Sequence, residues 1–445
     1  MKGIKTRLAI LNFIEFAVWG AYLTSLGSYL VGIGLATNIA WFYAIQGIVS
    51  IFMPALIGII ADRWVQAQRM LSLCHLLAGV FMIGASVYAI QAGDNVEFGP
   101  LFLLYSLSVA FFMPTIGLVN SVAYSALTKA GLDTVKHYPP IRVFGTIGFI
   151  CLMLFVNFTG FQNNCYQLLT SGVLSLVMAV YALTMPKCPV SKGTGSTSLV
   201  DALGLKAFSL FKDRQMALFF VFSMMLGVSL QITNGFANPF IQSFGNISEY
   251  ADTWGVKNAN ALISLSQISE TLCILLIPFF LKRFGIKVVM LMSMMAWVFR
   301  FGLFGIGNPG GGVWLFVLSM IVYGIAFDFF NVSGSLYVDR RTDVSMRSSA
   351  QGLFMVMTNG IGATIGTLAA QAIINHYVYD LPQGSVDQVA GWSTSWLIFA
   401  GFALVVAVLF LIFFKNPREE NQPTAAEVIE HATEEADATG MIDVK

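Results

Sequence analysis

Of the 445 residues, 57% are hydrophobic and only 11% charged, where soluble domains carry about 25% charged residues. A water-soluble globular fold is therefore excluded, and with a mean hydropathy of +0.75 the chain reads as one dissolved in lipid. The net charge of +1 hides an asymmetry between the two sides of the membrane, no nucleic-acid partner is expected, and the 38 Phe, 41 Gly and 20 Met residues suit helices packed closely in a bilayer.

A hydrocarbon core about 30 Å thick needs roughly 20 apolar residues of helix. Twelve such runs follow one another, at 8–31, 39–61, 70–92, 99–126, 141–160, 166–185, 216–242, 259–281, 286–306, 313–337, 348–375 and 391–414. The first follows Lys2, Lys5 and Arg7 and continues to about Leu30 with no small-residue cleavage site, so it reads as a span and not as a signal peptide. It carries Glu15, about 10 Å from the inner end of its span at 1.5 Å per residue, placed either to function or to pair with a neighbouring helix. Span two ends in "GIIADRW", and span five holds "PPIRVFGTIGF", in which Arg142, Thr146 and Phe149 recur at i, i+4 and i+7 just after Pro139 and Pro140. Arg142 is open to two readings there, a cytoplasmic anchor or a ligand contact.

Residues 186–215 contain "VSKGTGSTS" and form the longest interior connection, a cytoplasmic linker between an N-terminal six-helix bundle at 1–185 and a C-terminal one at 216–415. Beyond it, span seven carries Gln231 and Asn234, and span eight carries Gln267 and Glu270, each pair at i, i+3 and so on one helix face. Arg300 in span nine is either a structural partner for an acid or a group near the outer interface. Span ten brings Tyr323 and Phe327 at i, i+4, followed by Asp328, about 140° round the helix from Tyr323. After Lys415 the chain turns acidic and loses its aromatics, which reads as a disordered cytoplasmic tail over 416–445.

Two patterns organise these runs. Lys282-Arg283 after span eight repeats Asp62-Arg63 after span two at an offset of 220 residues, and "ATIG" at 363 repeats "GTIG" at 145 at an offset of 218. Near-equal offsets argue for duplicated halves, as in carriers whose substrate lies near the midplane between repeats. Basic residues also alternate by side: the N-terminal cluster, Arg63, Lys129, Lys187, Lys282, Arg340 and Lys415 fall on one side, and Lys257 lies nearly alone on the other with Asp94, Glu97, Asp252 and Asp387. The positive-inside rule then puts both termini in the cytoplasm.

The carboxylates well inside spans are Glu15, Glu270 and Asp328, and a charge there costs several kcal/mol, about 2.5 or more at a helix centre. Such acids are the default proton or ion sites. The faces carrying amides, a guanidinium, a hydroxyl, a carboxylate and rings together suit a neutral polar solute with a flat ring. Taken singly, Gln231 and Asn234 also serve as bonds between helices, and Tyr323, Phe327 and Phe149 as packing. The five cysteines are scattered and read as packing residues, and the four histidines, His75, His137, His376 and His431, lie near or beyond span ends. No metal or nucleophile pattern results, which argues against a membrane enzyme.

At these segments the sequence resembles a known family. "GIIADRW" resembles the loop signature of the major facilitator superfamily, lacking the glycine usual beyond the Asp-Arg pair. "PPIRVFGTIGF", "LQITN", "SQISE" and "YGIAFDFFN" together resemble the bacterial nucleoside:proton symporters of the uridine and xanthosine permease type, in order from about Leu8 to Phe414. The resemblance implies an all-α membrane protein of twelve transmembrane helices in two six-helix halves, the major facilitator fold. It implies a nucleoside held between the halves by Arg142, Thr146, Phe149, Gln231, Asn234, Gln267, Glu270, Tyr323 and Phe327, with Asp328 tied to proton coupling. The chain departs from the family pattern at Glu15, where a glutamine is usual, and at Ser229, where an acid is. The expectation is proton-driven nucleoside uptake by alternating access in a bacterial inner membrane, by a functional monomer with no cofactor beyond the proton. Glu270 is expected to meet sugar hydroxyls and to share in protonation; a proton-coupled sugar carrier is the alternative.

Overall fold

A segment in lipid must satisfy its backbone N–H and C=O groups within itself. The computed structural model describes residues 3–189, 205–342 and 346–415, and its regular structure is helical throughout, with no strand among the described residues. The first part consists of α1 (Ile4–Gly20), α2 (Leu26–Gly32), α3 (Ile39–Arg63), α4 (Ala67–Ala92), α5 (Phe98–Lys129), α6 (Thr134–Phe158) and α7 (Tyr166–Leu183). The second consists of α8 (Arg214–Leu230), α9 (Ile232–Ser243), α10 (Trp254–Lys257), α11 (Ala259–Ile274), α12 (Ile277–Ile306), α13 (Val313–Arg341), α14 (Arg347–Met355), α15 (Ala363–Ile374) and α16 (Val386–Phe413). Two π-helical stretches, Val356–Gly362 and Asn375–Tyr379, flank α15.

Ten helices among the described residues are long and apolar enough to cross a membrane, against the twelve predicted. The two shortfalls have local causes. Span one breaks at residues 21–25, where Tyr22 N and Ser25 N turn to the carbonyls three residues back, of Trp19 and Tyr22, leaving α1 and α2 each too short to cross alone. Span eight stops at Ile274 and resumes at Ile277, and its second piece runs into span nine through Gly285, whose φ of 75° and ψ of 168° no helix contains. A positive φ costs glycine alone nothing, so the Lys282-Arg283-Phe284-Gly285 turn divides the 30-residue run of α12 into the end of one span and the whole of the next. Span five also differs from expectation. Its helix α6 starts at Thr134, so Pro139 and Pro140 lie inside it and Arg142 stands two turns in, not at the start of the helix.

Contacts divide the described residues into two compact units, one built from those up to Tyr29 with those between Ile45 and Leu205, the other from Leu30–Ala44 with those from Lys206 to Lys415. Much of the predicted linker, residues 190–204, and the predicted tail, 416–445, lie outside the described residues. Where the chain resumes, Asp213 caps α8 by accepting a hydrogen bond from Gln215 N at 2.7 Å.

In the first unit α1 packs on α6 and α7, and α4 on α5 and α7. Lipid offers no hydrophobic drive between helices, so close approach and interhelical hydrogen bonds hold them. A Cβ on Gly148 would lie 2.2 Å from Phe13 O, and one on Gly20 2.4 Å from Phe149 O. Serines supply the bonds: Ser72 donates to Ala179 O at 2.7 Å, Ser108 to Ala78 O at 2.7 Å and Ser171 to Val18 O at 2.8 Å.

The second unit repeats the device. A Cβ on Gly366 would lie 2.1 Å from Val228 O and one on Gly227 2.2 Å from Thr358 O, so the last glycines of "GTIG" and "ATIG" serve the same close contact. Its 30–44 segment is held by Gln371, whose Oε1 accepts from Ala40 N at 2.8 Å and whose Nε2 donates to Ala36 O at 3.1 Å. Because the atom met is backbone and cannot turn aside, Gly148→Val should lower stability by the upper end of the about 1–3 kcal/mol that overpacking costs. Thermal melting of the detergent-purified protein reads this, and an unchanged melting temperature would contradict it.

Candidate functional site

In the first unit the candidate groups stand along α6. Arg142 is buried, its Cζ 3.4 Å from the centre of the Phe16 ring. Gly145 makes this possible, since a Cβ there would lie 2.3 Å from Arg142 Nη1 and 2.7 Å from the Phe16 ring. Thr146, one turn from Arg142, is half-buried. Phe149 meets Trp19 edge-on at 6.2 Å and 87°. The "RVFGTIG" stretch thus does two jobs, with Gly145 admitting a guanidinium and Gly148 the backbone of α1.

In the second unit the helix of span seven is interrupted at Gln231, between α8 and α9. Asn234 Nδ2 donates to Gln231 Oε1 at 2.5 Å, which leaves Gln231 Nε2 as donor and Asn234 Oδ1 as acceptor on a half-buried edge. On α11, Ser266 and Ser269 are buried against α13, where Ser269 donates to Ile321 O and Ser266 to Met320 Sδ at 3.0 Å. A Cβ on Gly324 would lie 2.6 Å from Ser269 O, so α11 and α13 touch backbone to backbone. That anchorage leaves Gln267 and Glu270 half-buried.

On α13 the Tyr323 and Phe327 rings stack at 6.0 Å and 8°. Trp297 closes edge-on at 6.0 Å, and Arg300 Cζ lies 4.3 Å from the Tyr323 ring centre. Glu270 follows Ser269, which bonds Ile321 O and packs on Gly324, and Asp328 follows Phe327 on the helix of Tyr323, so Glu270, Arg300 and Asp328 belong to the neighbourhood of that ring. Asp328 itself is 1% exposed, whereas Phe327 is half-buried.

Arg300 is buried among the helices of the second unit, at 2% exposure. It forms no ion pair with an acid among the described residues; Nη1 donates to Ser319 O at 2.9 Å and to Ser266 Oγ at 3.4 Å. Its direct partners are thus a carbonyl, a serine hydroxyl and the faces of the Tyr323 and Phe304 rings.

The reading of His75 as a group near a span end is corrected by the structure. His75 lies two turns into α4, fully buried, with Nε2 2.7 Å from Glu15 Oε2 and Nδ1 2.9 Å from Ser175 Oγ. Thr115 Oγ1 lies 2.6 Å from Glu15 Oε1. The clue in the sequence was Glu15 itself, a carboxylate in lipid that requires a partner. No group of three or more His, Cys, Asp or Glu residues able to hold a metal occurs among the described residues.

Comparison with known proteins follows from this geometry. The family described as nucleoside H+ symporter matches residues 1–419. Xanthosine permease of Escherichia coli K12 is 48% identical over 417 residues, covering 93% of this chain and 96% of the relative. Nucleoside permease NupG of the same organism is 42% identical over 433 residues, covering 96% and 100%. The crystal structure of nucleoside transporter NupG superposes with a TM-score of 0.84 at 43% identity, covering 94% of this chain and all of that one. A bacterial homologue of the human lysosomal transporter Spinster, at 14% identity and a TM-score of 0.63, shares the fold.

Proposed function

The chain belongs to the nucleoside H+ symporter family, and from that premise we infer that it takes up nucleosides across a bacterial inner membrane together with protons. It is a multi-pass transporter of the major facilitator fold and not an enzyme, as its relatives are permeases. Charge distribution along the sequence supports placing both termini in the cytoplasm, and a pathway within one chain supports a monomer as the working unit.

We assign the nucleoside ligands to residues of both units. Arg142, Thr146 and Phe149 act from α6; Gln231, Asn234, Gln267, Glu270, Tyr323 and Phe327 act from the second unit. The observation that carries this is the parallel Tyr323 and Phe327 stack in the same neighbourhood as Glu270, a flat apolar surface beside an acceptor of hydroxyl protons. A nucleoside needs both, one for its base and one for its ribose. The donor and acceptor edge left by Gln231 and Asn234 suits the polar edge of a base. Asp328, buried beside the stack, is assigned to the coupling proton, since protonation removes the cost of carrying a negative charge through lipid. Alternating access of the two units completes the cycle.

Binding tests the assignment. Uridine or xanthosine should raise the melting temperature of the purified protein, and free ribose at equal concentration should not; protection by ribose or a disaccharide alone would assign the site to sugars. Arg300 supplies a further prediction. A buried cation on a ring is worth about 2 kcal/mol, so Arg300→Met should free Tyr323 and weaken uridine binding by up to roughly 30-fold. Unchanged affinity would leave Arg300 with no part in holding the ring.

A further inference from the structure

In the first unit, Glu15 is the one carboxylate buried among the described residues, and the assigned substrate and coupling groups make no use of it. We propose that Glu15, His75 and Thr115 form a second proton-carrying site, separate from Asp328 and Glu270. The proposal rests on the reading of the chain as a proton-coupled nucleoside carrier and deepens it.

Counting protons makes the case. Ser175 has one hydroxyl proton and donates it to the His75 carbonyl at 2.9 Å, because a carbonyl can only accept. With that proton on the carbonyl, Ser175 Oγ accepts from His75 Nδ1, also at 2.9 Å, in the tautomer that carries a proton there. The 2.7 Å contact between Nε2 and Glu15 Oε2 then requires a second proton between them. With that proton present the pair is neutral overall. Without it a lone pair would face a carboxylate in a dry interior.

Thr115 adds capacity for one more. Its single hydroxyl proton has two acceptors at equal reach, Glu15 Oε1 at 2.6 Å and Phe112 O at 2.6 Å. When Glu15 is ionised, Thr115 donates to Oε1. When a proton arrives on Oε1 an O–H bond forms, that group donates to Thr115 Oγ1, and the threonine turns its own proton to Phe112 O. Release reverses both turns, and every polar atom stays bonded in either state without a heavy atom moving. A purely structural ion pair has no need of this second position.

The surroundings leave the extra charge to the network. Among titratable and charged groups, α4 contributes Cys74 beside His75, and α6 contributes Arg142, which lies over Phe16, the neighbour of Glu15. On α5, Tyr105 is engaged by Gln46 Nε2 at 2.8 Å, Tyr124 stands edge-on to Tyr138 at 4.7 Å, and Lys129 lies in the last turn. On α7 Tyr181 donates to Arg7 O at the inner end, where Lys5 and Arg7 of α1 also lie.

The test measures protons moved per uridine in proteoliposomes. Glu15→Gln should lower the ratio by one proton per nucleoside relative to the unmodified chain while uridine binding in detergent persists. An unchanged ratio would overturn the proposal. If the unmodified chain moves no protons with uridine, the functional reading itself fails, a distinct result. Should Glu15→Gln fail to fold, uridine-induced infrared difference spectra of the unmodified chain and of Thr115→Val decide. A protonated-carboxyl band that shifts in Thr115→Val supports the site, since neither Asp328 nor Glu270 touches that hydroxyl. The absence of any band sensitive to Thr115 overturns it.

Discussion

Asp328→Asn is expected to bind uridine nearly as the unmodified chain does and yet to lose most of its concentrative uptake. A membrane potential of 100 mV is worth about 2.3 kcal/mol per charge, which at about 1.4 kcal/mol per tenfold sustains a gradient of roughly 50-fold for one proton per nucleoside. An asparagine has the shape of aspartate and no proton to exchange. Accumulation should therefore fall by about that 50-fold, the share of the proton that Asp328 carries, while exchange of labelled for unlabelled uridine continues. The burial of Asp328 beside a half-buried Phe327 is the ground for separating the two effects. Equal loss of binding and accumulation would make Asp328 a ligand and not a coupling group.

The second large effect concerns Glu270. A hydrogen bond to a charged acceptor contributes about 1.5–3 kcal/mol, so Glu270→Ala should weaken uridine binding by roughly 10- to 100-fold. The loss should depend on the sugar. A uridine analogue lacking the 2′ and 3′ hydroxyls should already bind weakly to the unmodified chain and lose little more on substitution, a non-additivity that marks direct contact. If uridine and the analogue lose equally, Glu270 does not touch the ribose.

Much of this was legible because helical spacing is a local property. Gln231 and Asn234 at i, i+3 bond to one another, and Tyr323 and Phe327 at i, i+4 stack, as one face of a helix requires. The echo of "GTIG" in "ATIG" likewise pointed to equivalent positions, which the close contacts of Gly148 and Gly366 occupy. What spacing could not give was partnership between helices distant in sequence. His75 is unremarkable beside its neighbours and finds Glu15 only once α1 and α4 are packed, and Arg300 meets Tyr323 across two helices. Helix breaks were hidden for a related reason. Hydropathy reads span one as continuous, but the turn at residues 21–25 is a matter of backbone hydrogen bonding, and apolar side chains run through it unchanged.

The most direct measurement of the central claim is uptake of labelled uridine by transport-deficient cells expressing this chain, with and without a protonophore. The account predicts accumulation above the external concentration that the protonophore abolishes. Uptake to equilibrium that ignores the protonophore would contradict the coupling, and a failure of uridine and every other nucleoside to enter would contradict the transport.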